Sequence, residues 1–212
     1  MKIKLKLFRL QFLGFILSVI LVSGVYSQDV FHGCPMEGKA KREDTKESNK
    51  LKNRYKIPAS SDYDTHITLD KILEPGDDID RFSSNNAVTI EGYVYNVKSG
   101  GKETCNCGSS KYKDIHIEIV PTAKTKTYKK RVIVEITPRL QNAIFGEMGI
   151  STLKELKSLI KGKKVIVKGW LFFDMEHVTE AENTDSGDDF GRKNWRATCW
   201  EIHPVISIEV ME

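Results

Sequence analysis

The sequence predicts a mainly β protein: a five-stranded OB-like barrel with one helix between strands three and four, preceded by a charged N-terminal arm. Three observations point there. Five segments in the second half are rich in β-branched and aromatic residues and are bounded by turn-forming clusters. One segment with helical spacing falls among them, between the third and the fourth. Five strands with a helix at that point is the connectivity of the OB-fold, a small, partly open Greek-key barrel. Another five-stranded antiparallel barrel, or a sandwich, is the rival arrangement.

Residues 1–27 stand apart from this fold. Lys2, Lys4, Lys6 and Arg9 form a basic start, and Phe12 to Val22 is apolar but short for a membrane span. Ser23 to Ser27 then places small residues, Val25 and Ser27, three and one before an expected cut ahead of Gln28, the pattern of a signal peptide. An uncleaved N-terminal anchor is the alternative. The mature chain is expected to be exported, periplasmic or extracellular, with no transmembrane segment. Cleavage removes four basic residues and no acidic one, so 33 Lys+Arg against 29 Asp+Glu becomes 29 against 29. A formally neutral chain lacks the cation excess of a general nucleic-acid coat, so nucleic acid is not expected as a general partner.

Residues 28–86 read as an N-terminal arm, largely irregular. Within it, residues 37–56 hold eight basic and four acidic residues, with only Ala40, Leu51 and Tyr55 apolar. Such a stretch buries too little surface to fold alone, and helix is expected only near Asn49 to Tyr55. Thr65 to Leu73 is expected to form a short element closed by Pro75-Gly76. All four cysteines lie in the exported part, where disulfides persist. Cys105 and Cys107 are too close to bridge easily, so Cys34 is expected to pair with Cys105 or Cys107 and tie the arm to the domain. Cys199 sits inside a strand pattern and reads as a buried free thiol.

Residues 87–212 make the barrel. The first strand is Val88 to Val97, with Gly92 where a bulge or sharp coil would fit. A loop from Lys98 to Ser110 leads to the second strand, Lys113 to Val120, and the third follows at Arg131 to Ile136. Thr152 and Glu155 make a capping box for a helix whose Leu153, Leu156, Leu159 and Ile160 share one side, and Gly162 ends it. The fourth strand is Lys163 to Phe173. An acidic loop, Asp174 to Gly191, leads to the fifth, Arg196 to Val210, broken or bulged near Pro204.

Strand side chains alternate with a period of two. Ile115, Ile117 and Ile119 therefore share one face while Asp114, His116 and Glu118 share the other. The OB order places the third strand between the second and the fifth, so Glu135 should be flanked by His116 on one side and by Glu201 or His203 on the other. Imidazole and carboxylate on adjacent strands suit a divalent transition-metal ion. His116, Glu135 and His203 are the expected ligands, with His177 and Asp174 as second choice. Such an ion would activate a bound water, with Asp114 or Glu201 as the candidate catalytic base. Trp170, out of phase with the core positions of its strand, is the candidate ligand platform, together with Glu135 and Arg196. Cross-strand pairs on a solvated outer face, with no site at all, are the plain alternative. The sequence carries no covalent-nucleophile pattern, no phosphate-cradling glycine loop and no dinucleotide fingerprint.

Several segments resemble a group of uncharacterised exported bacterial proteins with an OB-like domain ending in a Trp-Glu-apolar-His-Pro-Val strand. They are His32-Gly-Cys34 with Glu37-Gly38, Cys105-Asn-Cys107, Asp114-Ile-His116, Val134 to Arg139, Gly169 to Asp174 with His177, and Trp195 to Val205. The likeness covers most of residues 31–210, and the final strand is its most specific part. Cys199 departs from it, where a small apolar residue is expected. The resemblance implies fold and export and brings no activity with it.

These readings lead to three functional expectations. The first is an exported OB-like binding domain that recognises a ligand, glycan or envelope partner through the outer face of strands two, three and five. The second is a divalent-metal-dependent hydrolase acting on phosphodiesters. The third is a structural envelope protein.

Overall fold

The computed structural model describes residues 29–184 and 193–211. The signal-peptide segment and residues 185–192 of the acidic loop lie outside the described residues. Five strands close into one barrel in the order β1-β2-β3-β5-β4: β1 Ala87–Ser99, β2 Ile115–Val120, β3 Val132–Ile136, β4 Lys164–Phe173 and β5 Trp200–Val210. All neighbouring pairs run antiparallel except β3 with β5, which run parallel. That is the OB-like order, with β3 between β2 and β5.

The 13-residue β1 serves both sides of the closure. Its first half pairs with β4 (Ala87 opposite Trp170, through to Tyr93 opposite Lys164), and its second half pairs with β2 (Tyr93 opposite Val120, through to Ser99 opposite Ile115). A bulge between Val94 and Asn96 helps it turn from one partner to the other. Gly92 lies in regular register rather than at that bulge. A Cβ there would meet Ile119 Cγ2 at 2.5 Å and Leu69 Cδ2 at 2.8 Å, so the position lacks a side chain because two neighbours occupy its space. The interior is aliphatic: Ile90, Ile117, Ile119, Val134, Ile136, Val167, Leu171 and Ile202 are buried together. Trp200 joins them, in phase with Ile202.

Two helices, not one, connect β3 to β4. The first, spanning Pro138–Glu147, carries Pro138 at its start, where a missing N–H costs nothing. It lacks an apolar stripe long enough to show by periodicity. The second, Leu153–Ile160, begins with the capping box: Glu155 N donates to Thr152 Oγ1 (3.2 Å) and Thr152 N donates to Glu155 Oε2 (3.0 Å). It buries Leu156 and Ile160 under the barrel and stops at Gly162, whose φ of 78° suits a residue without a Cβ.

The N-terminal arm is more ordered than its composition suggests. A helix spans Glu43–Lys52, ending before the expected Asn49-to-Tyr55 stretch does, and a single turn spans Leu69–Ile72. Ile67, Leu69, Ile72 and Leu73 join the barrel's apolar core, and polar contacts fasten the rest of the arm. Asn53 Nδ2 donates to the carbonyls of Met36 and Cys105 (both 2.9 Å), and Asn49 Nδ2 to that of Glu37 (2.7 Å). Arg54 donates to the carbonyls of Ser84 (2.6 Å) and Leu171 (3.1 Å). A Cys34–Cys107 disulfide fastens the same edge, while Cys105 and Cys199 are free and buried. Among the described residues no helix is long and apolar enough to cross a membrane.

Candidate functional site

The β2–β3 register places His116 directly opposite Glu135, and the parallel pairing of β3 with β5 sets Val134 opposite Ile202. Because alternate residues share a face, His116, Glu135, Glu201 and His203 come together on the side of the sheet away from the aliphatic interior. This face is largely covered. The arm, the loop after β1 and the segment between β4 and β5 cover it, leaving Asp114, His116, Glu135, Glu201 and His203 all buried.

His116 Nδ1 lies 2.9 Å from Glu135 Oε1. The other Glu135 oxygen lies 3.5 Å from His203 Nδ1, which is also 3.6 Å from Glu201 Oε2. The far side of the same ring puts Nε2 at 3.7 Å from Asp114 Oδ1. Asn106 Nδ2 donates to the second Asp114 oxygen at 2.5 Å. Next to this group, the buried Arg196 guanidinium bridges Asp174 (3.1 Å) and Glu201 (2.7 Å). His177 caps Asp174 from the rim.

Burial and neighbouring charge push these groups in different directions. Burial, reinforced by Lys98, takes His116 down to about 4, so its ring is neutral at physiological pH. Burial raises Glu135 to about 7 against the pull of His203. For His203 burial opposes the charge, yet Asp114, Glu201 and Glu135 outweigh it and raise the ring to about 10. Burial also raises Glu201, with Arg196 opposing. Burial alone would raise Asp174, but the His177 hydrogen bond and Arg196 hold it well below the usual carboxylate range. Strongly perturbed groups gathered beside a cleft are a common mark of a working site.

The cleft itself measures about 490 Å³ and opens over β2, β3 and β5. Glu135, Glu201 and Asp174 form its floor, and Trp195 and His177 form part of its wall. The half-buried Trp195 ring lies 5.5 Å from the His116 ring, 5.4 Å from the His177 ring and 5.4 Å from Lys98 Nζ. Lys52 comes from the arm to pair with Glu103 at 2.9 Å, also on the cleft wall. A larger groove of about 770 Å³, lined by Phe82, Phe173 and Trp200, is mostly apolar.

Of the sequence candidates, His116, Glu135, Glu201, His203, Asp114, Asp174, His177 and Arg196 all belong to this neighbourhood. Trp170 does not: it lies under the arm, its Nε1 donating to the Lys56 carbonyl at 2.9 Å and its ring covered by Arg54 at 4.8 Å. Arg196 is wholly buried, so it meets its two carboxylates rather than the cleft. Among the described residues, two groups of three bring metal-ligating atoms within 4.8 Å of one another: Asp114–Glu135–His203 and Glu103–Cys105–Asp114. His116 is in neither, because its remaining nitrogen points towards Glu118, 3.9 Å away. Lys52, Glu103 and Asn106 were not singled out from the sequence, and nothing in their local pattern separates them from solvated loop residues. Trp195 was visible as an aromatic beside the fifth strand, with no signal of its position.

No known protein family matches the chain, and no curated protein is significantly similar to it.

Proposed function

We propose that the protein is an exported OB-like binding domain that holds a hydroxyl-rich ligand, of glycan type, in the cleft over β2, β3 and β5. One observation carries this reading: the cleft combines a half-buried Trp195 ring with the carboxylates of Glu135, Glu201 and Asp174. An aromatic face packs against the C–H side of a sugar while carboxylates accept its hydroxyls, and a mostly pre-formed cleft of this size suits a small ligand. The His116–Glu135 and Arg196–Glu201 contacts hold the acceptors in place before any ligand arrives. Export is supported by the basic and apolar start of the chain, and by a Cys34–Cys107 bridge that survives in an oxidising compartment.

The test is an oligosaccharide array probed with the wild-type protein, Trp195→Ala and Glu201→Gln. Expected is retention of a glycan class by the wild type and loss of at least tenfold in both variants, with unfolding midpoints recorded alongside. Equal retention by wild type and variants would remove this cleft from the account. Cell fractionation and N-terminal sequencing test export; a mature chain starting at Gln28 is expected.

A second reading, a metal-dependent phosphodiesterase with Glu201 as base, is favoured by the convergence of Asp114, Glu135 and His203. It predicts hydrolysis of bis-p-nitrophenyl phosphate with added Mn²⁺ or Zn²⁺ and loss of that activity in Glu201→Gln. Intact substrate under both ions would dispose of it.

A further inference from the structure

We propose that Asp114, Glu135 and His203 form a binding site for a transition-metal dication of the Zn²⁺ or Mn²⁺ kind, set beneath the cleft floor. The glycan-binding reading stands without this site, whereas the phosphodiesterase reading rests on it.

The spacing of the three groups is the first argument. A buried imidazolium paired with carboxylates normally closes to about 2.7–2.9 Å, because a desolvated charge is costly unless it is hydrogen-bonded. Here the nitrogen–oxygen separations stay at 3.5 Å to Glu135 and 3.7 Å to Asp114. The two involve opposite ring nitrogens, and an ion takes only one of them, so one separation is a ligand–ligand distance. It is close to that on a tetrahedral ion, about 3.4 Å for bonds of about 2.1 Å. One ligand atom from each residue already lies within 4.8 Å of the other two.

The second argument is which atoms lack partners. Asp114 Oδ1 and both His203 ring nitrogens are buried without a hydrogen-bond partner. Native proteins rarely leave such atoms orphaned, since each costs about 1–3 kcal/mol.

The third argument is how the rest of each side chain is held. Asn106 fixes Asp114 Oδ2, His116 fixes Glu135 Oε1, and the His203 Nδ1 side faces Glu201 Oε2 at 3.6 Å. Each carboxylate therefore has one oxygen held by a neighbouring nitrogen and the other directed at the imidazole. With Nε2 on the ion, Nδ1 and its Glu201 contact stand behind the His203 ring. This outer layer is the arrangement that orients ligands in metal sites. Two carboxylates and one imidazole also offset the charge of a dication. Three donors in a confined space favour Zn²⁺ or Mn²⁺ over Ca²⁺, which takes six to eight oxygens, and over Mg²⁺, which keeps several waters. Glu135 reaches both the cleft and the trio, so an ion enters past it.

The experiment is titration of the chelator-treated protein with Zn²⁺ and Mn²⁺ by calorimetry, with metal content measured by mass spectrometry. Saturable uptake of one ion per chain is expected, with a rise in the thermal midpoint. Asp114→Asn and Glu135→Gln should each weaken uptake at least tenfold. His66→Ala, which removes an exposed histidine outside both ligand groups, should leave it unchanged. No saturable uptake by the wild type, or full affinity in both carboxylate variants, overturns the proposal. So does uptake lost with His66→Ala. Should the carboxylate variants fail to fold, Co²⁺ added to the wild-type protein decides. Visible bands of a four- or five-coordinate nitrogen–oxygen site support the trio, and their absence counts against it.

Discussion

Arg196 Nη2 and Glu201 Oε1 approach within 2.7 Å at a place where both side chains are buried. The contact is an ion pair more than an aligned hydrogen bond, since Nη2 has no partner that meets hydrogen-bond geometry. With Asp174 at 3.1 Å from Nη1, one guanidinium compensates two buried carboxylates. Removing it would leave two buried acids to share only their histidine partners, His177 for Asp174 and His203 for Glu201. Arg196→Met should therefore destabilise the fold by about 3–5 kcal/mol, read from urea unfolding. Adding Glu201→Gln to that variant should recover part of the loss, because one of the stranded charges goes with it. A double variant no better than Arg196→Met would show that the pair is not energetically linked.

The arm gives a second expectation. The Cys34–Cys107 bridge closes a sequence separation of 73 residues, so opening it frees a long segment of the unfolded chain. The double variant Cys34→Ser, Cys107→Ser should lose about 2–4 kcal/mol. Proteolysis should then cut first in the arm, around the Glu43–Lys52 helix, while the barrel persists. Arm and barrel lost together at one midpoint would mean that the polar contacts of Asn49, Asn53 and Arg54 bind them into a single cooperative unit.

How far the sequence foretold this site follows from the physics of each element. Strand alternation plus one topological assumption was enough to set Glu135 between His116 and the His203 strand, because register in a barrel is dictated by which face is aliphatic. The cover over that face was not legible. Lys52 lies within a charge-rich run that looks solvated, yet its ammonium is buried against Glu103. Asp78 lies just after Pro75-Gly76, in what reads as an exposed turn. It is nevertheless fully buried, accepting from Thr198 Oγ1 at 2.7 Å and from the Cys199 amide at 2.8 Å. Both docking events depend on long-range hydrogen bonds, which leave no periodic trace in a sequence. The Pro138–Glu147 helix is hard to read for a different reason: its apolar stripe is brief, with only Leu140 and Ile144 at helical spacing inside it. The placement of Trp170 under the arm follows from the same hidden cover.

Gly169 offers a test of the barrel's closure. The β4–β5 register shifts on either side of it, opposite the Pro204 region. A Cβ at this position would meet the Pro204 carbonyl oxygen at 2.5 Å and Val205 Cα at 2.9 Å, both backbone atoms that cannot swing aside. Gly169→Ala should cost about 1–3 kcal/mol in urea unfolding. It should also shift the His203 ring resonances, since Pro204 follows His203 directly. Gly101, where a Cβ meets nothing within 4 Å, serves as the control, and Gly101→Ala should be close to neutral.

The rim pair of His177 and Asp174 fixes the sign of one pH dependence. The Asp174 hydrogen bond raises His177 above its ordinary 6.5, so this contribution to stability is complete below pH 6.5 and lost as pH rises through the raised value. Asp174 titrates well below its ordinary 3.8, held there by His177 and Arg196 against burial, so its contribution is present above pH 3.8 and lost on acidification. The pair is thus at full strength between about pH 3.8 and 6.5 and weakens on either side. The raised value of His203, about 10, adds a decline of the same sign above pH 6.5, so the wild-type profile alone does not isolate the pair. The difference between wild type and His177→Gln does. Unfolding midpoints of the two proteins should differ most near pH 5–6 and converge as pH climbs past the His177 titration. A difference that grows with alkalinity would mean that the Asp174 contact does not favour the imidazolium.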